Sequence, residues 1–174
     1  MDDMPTDTLS LAGEVETDGV GGAEEDAPKG MERRLVLRLL THWRELVGEG
    51  EYPSFYQLEP ELIPHIWDYS FVLNIAGHMA DPVFRVAGPK FAAYSSVDFR
   101  NLRVSQAPRD SLIEKAVEFV QEVIAKQVPI SRGGEFFKSD GVKVFYRGIM
   151  LPTSDDGITV TGLLGAANCR EESV

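Results

Sequence analysis

Cysteine occurs once in the 174 residues, at Cys169, and histidine three times, at His42, His65 and His78. One thiol excludes an internal disulfide, and with it the disulfide-stapled secreted scaffolds. None of the three histidines stands at metal-ligand spacing from another histidine or from the cysteine, so no metal site is expected. No apolar run approaches the ~18 residues that a membrane-spanning helix needs. The first residues have neither a basic n-region nor an apolar h-region, so they are not a secretory signal. Basic residues are also scarce, 17 against 28 acidic, for a net charge of −11. No basic stripe with interleaved aromatics is present, which speaks against a nucleic-acid partner. The expectation is a soluble cytoplasmic protein that binds neither membrane nor nucleic acid.

What charge there is lies mostly at one end. Residues 1–30 hold nine acidic residues against the single base Lys29, a balance of −8, and no aromatic residue. Such a segment cannot bury enough apolar surface to offset its ordering entropy. It reads as an acidic disordered tail, followed by one domain over 31–174.

From Met31 the pattern becomes amphipathic. Leu35, Leu39, Trp43 and Leu46 form one stripe at helical spacing, Val36, Leu40 and Val47 a second, and Arg33, Arg34, Arg38 and Arg44 lie on other faces. This is a helix stopped at Gly48. One stripe can cover the chain's own sheet while the other meets a symmetry mate, so a homodimer through Val36, Leu40 and Val47 is expected. Residues 49–67 read as loop and short helix, punctuated by Pro53, Pro60 and Pro64. A strand over 69–75 and another over 83–87 form a hairpin across Gly77 to Pro82. Residues 108–127 read as one long helix, with Ser111 and Glu114 at capping-box spacing. Strands over 130–138, 142–152 and 158–167 follow, joined by Ser139-Asp140-Gly141 and Asp155-Asp156-Gly157, where glycine supplies the positive φ of a tight turn. The order of elements points to an α+β fold: a five-stranded antiparallel sheet with helices on one face and a leading amphipathic helix.

Chemistry is sparse. There is no phosphate-binding Gly-Lys-Ser/Thr loop, no Gly-x-Ser-x-Gly elbow and no nucleophile–base–orienter set, so the chain is not expected to be an enzyme. The bulky residues Trp67, Phe84, Phe91, Tyr94, Phe119, Phe145 and Met150 lie on elements that could face the interior between sheet and helices. They either line a ligand cavity beneath residues 88–104 or simply fill a core. Arg85 and Arg147 lie on strands among apolar neighbours; they could meet an anionic ligand, pair with a carboxylate such as Asp98, or reach out to water.

The order of elements resembles a PAS domain, and in particular a bacterial group of stand-alone PAS proteins. The resemblance rests on Leu39-Leu40-Thr41-His42-Trp43 in the leading helix, Phe84-Arg85-Val86-Ala87-Gly88 followed by Asp98, Leu151-Pro152, and Asp156-Gly157 before Leu163-Leu164-Gly165. It spans about residues 33–168. Ser96 and Asn101 stand where that group has glycines around the Asp loop; Asn101 tolerates the left-handed conformation. The resemblance implies a regulatory sensor or protein-interaction module. It would bind a small molecule between sheet and helices and signal through contact with a partner protein, since no output domain is recognised in these residues. The alternatives are a small cone-like α+β enzyme of isomerase or dehydratase type, and an adaptor with a filled core and no ligand. No cofactor is called for. A haem would need an axial histidine on the helical side, where none falls. Asn168-Cys169-Arg170 is similar to the flavin-adduct string of light-sensing PAS relatives, but it follows the last strand instead of lying on a helix between the second and third.

Overall fold

The computed structural model describes residues 16–18, 31–47, 50–54, 57, 64–94 and 97–172. Strand β1 (Glu16–Asp18) is followed by helix α1 (Met31–Val47), a single turn α2 (Pro64–Trp67), and strands β2 (Ser70–Asn74) and β3 (Val83–Ala87). Two short 3-10 helices, Pro89–Tyr94 and Val104–Gln106, lead to α3 (Leu112–Val117) and α4 (Val120–Lys126). Strands β4 (Ile130–Phe137), β5 (Lys143–Thr153) and β6 (Gly162–Glu171) complete the chain. The sheet order is β1-β4-β5-β6-β2-β3. The five strands β2 to β6 pair antiparallel, as the sequence predicts.

Side chains alternate across the strands, so the sheet has two apolar faces. The inner face packs on α3 and α4: Phe71, Leu73, Met150, Leu163 and Ala167 join Leu112, Ile113, Ala116 and Val123. The outer face packs on α1 and α2: Val72, Ile149, Leu151, Leu164 and Ala166 join Leu35, Val36, Leu39, Leu40, Trp43 and Ile66. The Trp43 indole N–H donates to the Pro152 carbonyl at 2.7 Å, which ties α1 to β5 across 109 residues of sequence. Fully burying a side chain of the size of Leu39 is worth roughly 2 kcal/mol, so α1 is part of the fold and not an appendage.

Four expectations need correction. Glu16–Asp18, placed in a disordered tail, is a parallel edge strand on β4, with Glu16 opposite Ile130; the rest of residues 1–30 lies outside the described residues. The helix expected over 108–127 is two helices. Ser111 caps the first, accepting from the Glu114 N–H at 3.2 Å, but the Glu114 carboxylate takes the Asp110 N–H at 2.9 Å and so forms no reciprocal box. The break comes at Glu118 and Phe119, where Phe119 leaves helical geometry (φ −100°, ψ 21°). No glycine or proline marks it, and the apolar stripe runs straight through. The last strand begins at Gly162, not at 158, because Asp156 builds a wide loop instead of a tight turn. Its Oδ1 accepts from the N–H groups of Ile158 (2.8 Å) and Thr159 (2.7 Å) and from the Ser154 hydroxyl (2.8 Å). The dimer stripe also changes. Val36 and Leu40 are buried in the chain's own outer core and Val47 packs against its edge, because a helix lying flat on a twisted sheet offers both stripes to it. Among the described side chains of α1, the exposed large apolar one is Leu37.

Candidate functional site

The residues expected to line one site divide between two faces. Phe84, Phe91 and Met150 come together on the inner face, fully buried, and Phe119 packs against them. Trp67 instead packs against the outer core, because α2 lies on that side. Phe145 and Arg147 share the β5 parity of Ile149 and Leu151, which turns them to the outer face as well. Arg85 is exposed. Val72 stands opposite Val86 and Leu73 opposite Phe84, so Arg85 is the extra residue of a β-bulge. The bulge reverses the alternation, sending Phe84 inward and Val86 outward although they are two residues apart. The side chain of Tyr94 lies outside the described residues, as do those of its neighbours up to Ser96, beside the place where an inner cavity was expected.

What the inner face does assemble is a chain of four rings. Phe71 meets Phe84 (6.0 Å between centroids) and Phe91 (5.7 Å) edge-on, and Phe84 meets Phe99 at 5.5 Å. These spacings are those of attractive aromatic pairs. Phe71 fills the place a side chain at Gly165 would need: a Cβ there would overlap the ring. Phe71 and Phe99 were not singled out from sequence. Phe71 sits in an unbroken apolar run, Phe71 to Leu73, where only the sheet partner reveals its face, and Phe99 on a loop has no periodicity to read.

Hydrogen bonds hold the loop carrying Phe99 against β3. The Asn101 N–H donates to the Phe84 carbonyl (2.9 Å), the Phe84 N–H to Leu102 (2.8 Å), and the Val104 N–H to Pro82 (2.8 Å). Asn101 takes φ 70°, the left-handed conformation its side chain tolerates. Asp98 pairs with Arg100 at 3.2 Å, not with Arg85, and the hydrogen bond from that guanidinium holds its carboxyl below the usual range. At the exit of β3, Gly88 passes so close to the preceding turn that a Cβ would sit 2.6 Å from the Trp67 carbonyl oxygen. Only glycine permits this approach.

The outer face is apolar beneath α1 and polar beyond it. The Phe145 ring lies under the Arg170 guanidinium at 4.6 Å and the Lys143 ammonium at 5.4 Å. Between the first half of α1, α2 and β6 is an open cavity of about 390 Å³, lined among others by Arg34, Arg38, His65, Asp68, Lys90 and Asn168. Sequence reading placed Arg34 and Arg38 on faces of the helix away from its apolar stripes and did not weigh Lys90 or Asn168 together with them. The four residues span most of the domain and meet only through the β2–β6 pairing and the Gly88 turn.

His42 is buried on α1, His65 borders the outer cavity and His78 sits in the β2–β3 turn. Among the described residues no group of three or more His, Cys, Asp or Glu could hold a metal ion, and no carboxylate is buried. Cys169 lies on β6, half-buried against the inner core. No helix among the described residues is long and apolar enough to cross a membrane.

No curated protein matches the chain. Among solved structures, a light-oxygen-voltage domain studied with a flavin analogue is 18% identical, with 65% of this chain and 83% of that one covered and a TM-score of 0.42. The light-state LOV domain of the blue-light photoreceptor Aureochrome1 is 15% identical, covering 65% and 88%, with a TM-score of 0.41. The LOV domain of the blue-light activated histidine kinase EL346 from Erythrobacter litoralis is 18% identical, covering 59% and 95%, with a TM-score of 0.40. A family model described as a PAS domain matches residues 31–167, from the first residue of α1 into β6. The chain belongs to the PAS domain family.

Proposed function

We propose that the chain is a regulatory module that senses a small molecule or a partner and passes the signal on through protein contact, with α1 as the element that reports. The observation that carries this reading is the adjacency of Phe71 and Val72 on β2. Phe71 belongs to the ring chain that includes Phe91 and Phe99, while Val72 packs beneath α1. A shift of Phe91 or Phe99 therefore bears on the strand that supports the leading helix. Close-packed cores transmit such shifts because they repack between discrete arrangements.

The test is amide hydrogen exchange on the full chain and on Phe91→Ala, together with native mass spectrometry of freshly purified protein. The expected result is faster exchange in α1 when the ring under the 3-10 helix is removed, and a small molecule released on denaturation. Exchange changed only at residues 89–101 would overturn the coupling. A second reading, an adaptor with a filled core, draws support from the mutual contacts of the four buried rings. It expects no bound small molecule, and an α1 that responds only to a protein partner.

A further inference from the structure

We propose that the outer-face cavity binds a small organic phosphomonoester whose organic part carries an N–H or O–H donor. The cavity lies on the opposite side of the sheet from the four phenylalanine rings, and the proposal does not depend on the sensing role argued for them. Three basic side chains border it, Arg34, Arg38 and Lys90, against one carboxylate, Asp68. That is an excess of two positive charges in a chain whose net charge is −11. Arg34 and Arg38 are four residues apart on α1 and so project from the same side of the helix. Among the described residues neither arginine has an ion-pair partner, and the Lys90 ammonium rests 5.8 Å over the Tyr69 ring. An excess of two matches a phosphomonoester dianion better than a carboxylate, and arginine forks suit phosphate oxygens.

Asn168 supplies the second, independent observation. It lines the same cavity, is only 2% exposed, and its Oδ1 has no hydrogen-bond partner. Buried acceptors are nearly always satisfied. An N–H or O–H on the ligand's organic part would satisfy this one while the phosphate meets the arginines. The volume, about 390 Å³, is in the range of small-molecule sites.

The test is NMR titration of the isotope-labelled full chain with three phosphomonoesters (adenosine monophosphate, ribose 5-phosphate and phosphoserine), with inorganic phosphate and sulfate as controls. At least one ester is expected to bind more tightly than inorganic phosphate, with saturable shifts at Arg34, Arg38, Lys90 and the Asn168 side-chain amide. Arg34→Gln with Arg38→Gln, both exposed and therefore tolerated by the fold, should weaken that ester about tenfold or more, as expected for losing two charge-assisted hydrogen bonds. Asn168→Ala should bring the ester down to the affinity of inorganic phosphate and leave phosphate itself unchanged. Should Asn168→Ala fail to fold, the ester-to-phosphate ratio in the parent chain and the arginine variant still decide. Equal binding of esters, phosphate and sulfate would mean an adventitious ion only. That result, no saturable shift at these residues, or binding that survives loss of both arginines would overturn the proposal.

Discussion

Phe71 and Val72 are neighbours on one strand, yet they serve cores of different character. Inward, Phe71 joins three other rings and a wall of aliphatic side chains from α3 and α4. Outward, Val72 lies under α1 in a core that stops partway along the sheet, and beyond it β6 carries Asn168 and Arg170 where it carried Leu164 and Ala166. The inner face is closed by short helices joined through loops. The outer face is closed mainly by one continuous helix, α1, with the single turn α2 beside it and a charged cavity open between them. Closure by several short pieces allows local adjustment, whereas closure by one long helix makes any adjustment felt along its whole length.

Breaking the outer core should have the largest effect. Val36→Glu with Leu40→Glu places two carboxylates in an apolar contact, each costing several kcal/mol, together comparable with the whole stability of a domain. The variant should lack a cooperative thermal transition by circular dichroism. A folded variant that merely loses a subunit in light scattering would show that this stripe faces a second copy. Next is the inner core: Phe84→Ala should cost about 3–5 kcal/mol, read as a lower urea midpoint. A loss below about 1 kcal/mol would mean the rings are loosely packed. Trp43→Phe should cost less, about 1–2 kcal/mol, since the ring is largely kept and the bond to the Pro152 carbonyl is lost.

Asp156 tests the loop that straddles the end of both faces. Hydrogen bonds from Thr159 and Ile158 lower its pKa to about 2. A carboxyl depressed in the folded state contributes stability above its unfolded value, near 3.8, and loses it as pH falls through about 2. The melting midpoint of the parent chain should therefore fall more steeply over that acid window than that of Asp156→Ala, with parallel curves above about pH 5. The smallest effect belongs to β1. Removing residues 1–30 takes away a three-residue edge pairing and should lower the melting midpoint by less than about 3 °C, the equivalent of about 1 kcal/mol in a domain this size. A larger drop would mean the segment contributes to the outer core.

The elements were legible wherever the local signals agreed. α1 was readable because its apolar residues and Gly48 agree, and β3 and its glycine exit because turn chemistry and steric need coincide at Gly88. The two Asp-Gly pairs show where reading stops. At Asp140-Gly141 the expected tight turn forms, with the Gly141 N–H donating to Lys138. At Asp156-Gly157 the same dipeptide sits in a wide loop, because Ser154 and Thr161 add side-chain bonds that compete with the ladder. The face assignments failed for a related reason. Phe84 and Val86 look like one face until the bulge at Arg85 is known, and Phe145 looks like a cavity residue until β5 is registered against β4 and β6. The outer cavity was beyond sequence reading, since Asn168 meets Arg34 only after both ends of the domain have been brought together.

That meeting of distant strands governs how the chain can be made. β4 and β5 each pair with the next strand in the chain, so the meander can close soon after each strand is synthesised. β2 also pairs with its successor β3, but only along one edge. Its second partner is β6, from Ser70 against Ala166 to Asn74 against Gly162, and until β6 leaves the ribosome one edge of β2 stays unpaired. Long-range pairing of this kind is slow to form and exposes aggregation-prone surface while it waits. The last strand made is thus the one that shelters the first hairpin, and a ribosome stalled before β6 would hold a chain that holdase chaperones should recognise at residues 70–75.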